Sequence, residues 1–192
     1  MDLEKIKNKI IQAPYARKIY MLLPEEIEMS EYLAHKRNDA KKNWQSSLNA
    51  PRPFDSLTAN RLGIIGEIVA ARAIGTEYDT NERLFGDSGV DLYCKGIPIA
   101  VKYSKTNYLY FSEVTPFYEK TKFAILVEPY NEKRYIYSCC GFISRKKFFR
   151  IAERKQWRNF PEVLAVHKYK LKPIRLLKQA CEIIKNEQKD KN

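Results

Sequence analysis

Long apolar runs are missing from this sequence. None approaches the roughly eighteen residues that a membrane-crossing helix needs, so no membrane partner is expected. The opening MDLEKIKNKI mixes acids with bases and has no apolar signal core, which predicts an intracellular, cytoplasmic protein. Only four cysteines occur, at 94, 139, 140 and 181, with no CxxC pair among them. The two histidines, His35 and His167, are far from them in sequence, so a zinc site is not expected. The thiols read as small apolar residues in a reducing compartment. A Walker A loop, a GxSxG elbow and a dinucleotide fingerprint are all absent, leaving nucleotide hydrolysis, acyl transfer and hydride transfer without support.

Acid is also in short supply. Thirty-five Lys and Arg stand against twenty-three Asp and Glu, a net charge of +12. That excess favours a polyanionic partner, because neutralising phosphates releases condensed counterions. The competing reading is a basic protein whose charge serves only solubility.

Residues 1–55 read as an N-terminal helical extension, including ARKIYMLL and a helix opened by Pro24. The Pro51–Pro53 stretch breaks that pattern and connects to a core over 56–178. The core begins with a helix over about 57–75, capped by Ser56 or Thr58 and ended by Gly75. Short β-type runs follow: VDLYC, IPIAVKYS, YLYFSEV, KFAILVEPY and RYIYSCCGF. A helix with Ser144 as N-cap is expected over ISRKKFFRIAERKQW, and residues 179–192 form a helical, charged tail. This order predicts an α/β (α+β) fold, a central mixed β-sheet flanked by helices.

The hairpin Asp91–Ala100 carries the chemistry. If Lys95-Gly96 is a two-residue turn, Cys94 faces Ile97, Tyr93 faces Pro98, Leu92 faces Ile99 and Asp91 faces Ala100. Side chains alternate along a strand, so Lys102 shares a face with Ala100. Two charges on otherwise apolar strands need compensation, from a salt bridge or from a metal. Glu67 emerges from a helix face of Gly63, Ile64, Ala70 and Ala71, where a carboxylate also needs a neutralising partner.

GEIVAARAIG followed by GDSGVDLYCKGIPIAVKYSK resembles the PD-(D/E)xK, restriction-endonuclease-like nuclease superfamily, including its phage-encoded members. The similarity runs from about residue 60 to about 175. It implies that Glu67 matches the helix Glu, Asp91 the ligand Asp and Lys102 the catalytic Lys. It further implies a restriction-endonuclease-like core, encoded by a phage or mobile element, that hydrolyses DNA endonucleolytically. Mg²⁺, for which Mn²⁺ can substitute, would be held by Asp91 and Glu67, and a homodimer is a partner such proteins allow. The departure is Ala100, which stands where the family has an acidic ligand. Three explanations compete: an engineered substitution, a naturally degenerate enzyme, or an acid migrated elsewhere, for which Asp87 is the best candidate. Lys105, Arg83, Lys146 and Lys147 are candidate DNA contacts. Each also reads as a solvated surface charge.

Two alternatives stand beside the endonuclease: a DNA-binding protein that has lost cleavage, and a basic protein-interaction module. The aromatics Tyr103, Tyr108, Tyr110, Phe111, Phe117 and Tyr118 either stack on unpaired bases or pack within a sheet. Trp157, beside Arg154, Lys155 and Arg158, has the same two readings.

Overall fold

A computed structural model describes residues 17–42, 56–78, 80, 89–112, 117–157 and 161–189. Their elements, in chain order, begin with β1 (Lys18–Met21), α1 (Pro24–Lys42) and α2 (Ser56–Ile74). Then come β2 (Leu92–Cys94), β3 (Ile97–Tyr103), β4 (Tyr108–Phe111), β5 (Phe123–Asn131) and β6 (Ile136–Ser144). The chain continues through α3 (Arg145–Ile151), β7 (Glu153–Lys155), β8 (Val163–His167) and α4 (Leu177–Lys189).

Five strands form a mixed sheet in the order β1-β6-β5-β3-β2, in which only β3 and β5 run parallel. A second, antiparallel sheet has the order β4-β8-β7. The fold is thus mixed α/β, as the order of sequence patterns predicts. Strand alternation divides the large sheet into two apolar faces. On the first, Ile99, Val101, Phe123, Ile125 and Val127 pack with Ile64, Ile65 and Ile68 of α2, Leu33 of α1 and Leu177 of α4. On the second, Ala100, Ala124, Leu126 and Ile143 meet Leu109 and Phe111 of β4, Val166 of β8 and Phe148 of α3. Helices cover one face, and the small sheet with α3 covers the other.

Local chemistry explains three helix ends. Pro24 is the first residue of α1, where its missing N–H has no intrahelical partner to lose. Gly75, at φ +62°, ends α2 in the left-handed conformation that favours glycine. The Ser144 hydroxyl accepts the Lys147 N–H and so caps α3. The register of β6 against β5 slips between Leu126–Gly141 and Val127–Cys139, a bulge that takes in Cys140. Gly141 sits there at φ +144°, and a Cβ would lie 2.5 Å from the Lys172 carbonyl oxygen.

Two helical expectations are corrected. Residues 18–21, within the stretch read as helical, are the edge strand β1, paired antiparallel with β6. The unpaired edge of β6 rewards an extended chain more than helix propensity resists it. The helix expected through Trp157 stops at Ile151. Ala152 turns to φ −68°, ψ 141°, and Glu153–Lys155 pair with Val163–Ala165 as β7. The connector at 51–53 lies outside the described residues.

Candidate functional site

Lys95 (φ 54°) and Gly96 (φ 82°) form a turn with positive φ at both central positions, which matches the twist of the flanking strands. The turn sets three of the four expected pairs, Leu92 with Ile99, Tyr93 with Pro98 and Cys94 with Ile97; the fourth, Asp91 with Ala100, is not a ladder pair. Just beyond the last pair, the Asp91 N–H donates to the Ile99 carbonyl at 2.9 Å. The Val101 N–H donates to Asp91 Oδ2 at 2.5 Å. The carboxylate therefore takes the place of a ladder carbonyl, between Ala100 and Lys102 on the adjacent strand.

Ala100 is buried in the second apolar cluster. Lys102, two residues on, occupies the same face, its Nζ 4.9 Å from the centre of the Phe111 ring. The negative face of that ring stabilises the ammonium. Thus the Asp91 carboxylate lies at the Val101 N–H, on the strand that carries Ala100 and Lys102, while the Lys102 ammonium lies over the Phe111 ring.

Glu67 approaches from the other side of the sheet. A Cβ on Gly66, the residue before it, would lie 3.5 Å from Val101 Cγ1 and Tyr103 Cβ, on the first face. Glu67 is buried, and its carboxylate is held by a two-pronged pair: Arg37 Nη1 to Oε1 at 3.0 Å and Nη2 to Oε2 at 3.1 Å. The neutralising partner that its apolar helix face requires is supplied by α1. Sequence reading missed Arg37 because it lies thirty positions away and looks like one cation among many on a basic helix.

A second buried pair was not foreseen. Glu128 Oε2 accepts from Lys168 Nζ at 2.7 Å, with both side chains about nine-tenths buried. Lys168 also donates to the Asn107 side-chain oxygen. Glu128 Oε1 has no partner among the described residues. Nearby, burial first and the Glu128 charge second push the Cys140 thiol up to about 12. Only the alternation of β5 hints at this, since Glu128 follows Ala124 and Leu126 on the inward face.

The candidate DNA contacts are dispersed. Lys105 is exposed and binds Glu132 at 2.8 Å; Tyr103 also donates to Glu132, at 2.7 Å. Burial draws the Glu132 carboxyl upward, but hydrogen bonds from Lys105 and Tyr103 and the charges of Lys105 and Arg61 outweigh it, holding the group below its usual range. Lys146 and Lys147 lie in the first turn of α3. Arg83 and Asp87 lie outside the described residues.

The donor set decides how well a divalent ion fits. Asp91 brings a carboxylate to the hairpin, Ala100 brings none, and Glu67 is engaged by Arg37. Among the described residues no group of three or more His, Cys, Asp or Glu could hold a metal ion. Mg²⁺ demands near-octahedral oxygen ligation, so these residues do not by themselves make a complete site for it. Comparison of the chain with family models, with curated proteins and with solved structures gives no match.

Proposed function

We propose that the chain carries the site of a Mg²⁺-dependent DNA endonuclease in a form that lacks one carboxylate, at position 100. The observation behind this reading is the hairpin, where the Asp91 carboxylate is fixed at the Val101 N–H and flanked by Ala100 and Lys102. That spacing offers an acid and an ammonium to one phosphodiester. Asp91 is positioned by the backbone of the strand that presents Lys102. Lys102 would stabilise charge developing on the phosphate or orient the attacking water. The +12 charge favours a polyanionic substrate.

The test compares the chain as it stands, Ala100→Glu, and Ala100→Glu with Lys102→Ala on plasmid, linear and branched DNA with Mg²⁺ or Mn²⁺. Cutting is expected only from the single substitution. Equal cutting by all three places the site elsewhere. A folded set that binds DNA without cutting supports a second reading, a DNA-binding protein on a degenerate nuclease scaffold. The Arg37–Glu67 pair favours that second reading, because it gives the helix carboxylate a structural employment.

A further inference from the structure

We infer that the outer face of the small sheet is a stacking platform for unpaired bases of a single-stranded nucleic acid. The inference rests on the nucleic-acid reading above and adds the kind of strand that is held. In β4 and β8, Leu109, Phe111, Leu164 and Val166 turn inward to the second core cluster. Alternation turns Tyr108, Tyr110 and His167 to the opposite face, half-buried, with Val163 and Ala165 buried beneath them. Trp157 meets both tyrosines there, with ring centres 5.8 Å from Tyr108 and 5.5 Å from Tyr110. His167 lies 4.8 Å from Tyr108, and Tyr169, exposed, lies 4.5 Å from His167. Five rings form one continuous strip, each neighbour in contact with the next. Lys155 Nζ sits 5.0 Å from the Tyr108 ring centre, placing a cation within the strip.

Lys155 at the Tyr108 ring and the basic character of the chain segment that builds this face argue for the occupant. Residues 144–172, which include α3, β7 and β8, hold ten Lys and Arg against two Glu. That net +8 is two-thirds of the charge of the whole chain. A polyanion matches it. The bases of an intact duplex are stacked on one another and present only their edges, whereas unpaired bases offer faces to aromatic rings. Aromatic surface combined with concentrated positive charge therefore fits a single strand, as in a flap, gap or branch.

The sequence has two tryptophans, Trp44 and Trp157, so Trp44→Phe leaves Trp157 as the only indole reporter. In that background, an oligothymidylate should quench Trp157 fluorescence, and an abasic oligonucleotide of equal length should not. Tyr108→Ala should weaken oligothymidylate binding by about 5- to 150-fold, the range for losing one stacked base, while Tyr108→Phe retains it. Tyr169→Ala, at an exposed ring, gives the same direction of effect without risk to the core. Equal affinity for the abasic strand, or unchanged fluorescence at saturating oligothymidylate, would overturn the inference. Cutting of linear duplex by the Ala100→Glu protein without quenching sinks this inference alone. Quenching without cutting by any variant sinks the endonuclease reading alone.

Discussion

Arg37→Met tests what Glu67 does in this protein. The substitution removes the two Arg37 hydrogen bonds to a carboxylate whose side chain is 9% exposed. Removing one partner of a buried pair costs on the order of 3–5 kcal/mol. The Arg37 side chain is 18% exposed, so some water reaches the gap, and about 3 kcal/mol is the better figure. At roughly 2–4 °C per kcal/mol for a chain of this size, the midpoint of thermal unfolding should fall by about 6–12 °C. Replacing both residues, Arg37→Met with Glu67→Leu, removes the stranded charge and should recover most of the loss, giving a coupling of about 1–3 kcal/mol. Differential scanning calorimetry with urea titration measures each corner of the cycle. A shift below about 1 °C for Arg37→Met, or strictly additive losses in the double variant, would refute the reasoning. Loss of cutting in Ala100→Glu, Glu67→Gln protein at unchanged stability would instead make Glu67 part of the reacting site.

Other outcomes follow from the same structure. Ala100→Glu puts a carboxylate into a buried apolar position, so without metal it should lower the melting temperature, and Mg²⁺ or Mn²⁺ should restore it in proportion to occupancy. Gly89→Ala should destabilise the approach to Asp91, since Gly89 has φ +83° and a Cβ would meet Tyr118 Cδ2 at 2.0 Å; circular dichroism melts read the loss. Burial raises the thiols of Cys140 and Cys181 to about 12, so native protein at pH 8 should react slowly with a thiol reagent and much faster in denaturant. The Glu132 carboxyl, held low, contributes stability above its unfolded value near 4.5 that is lost as pH falls through its lower folded value. Glu132→Gln should therefore flatten the acid limb of a stability–pH curve, and an unaltered limb would count against the Lys105 and Tyr103 contacts. DNA affinity should fall linearly with salt on logarithmic axes; a flat response would exclude phosphate binding.

The sequence by itself determined the local geometry. Lys95-Gly96 accepts positive φ at both positions, and that turn fixes the pairing of Leu92–Cys94 with Ile97–Ile99 without help from distant residues. Pro24, Gly75 and Ser144 likewise mark helix ends through their own backbone and side-chain chemistry. From these, the pairing of the two strands that carry Asp91, Ala100 and Lys102 could be read in advance. Only the tertiary structure decided the rest. Lys18–Met21 and Glu153–Lys155 are short segments whose strand form depends on edges offered by β6 and β8. Which cation neutralises Glu67, and which neutralises Glu128, depends on where α1 and the segment after β8 come to rest. Periodicity reports which way a side chain faces along its own element. It carries no information about the charge brought opposite by chain folding thirty or forty residues away.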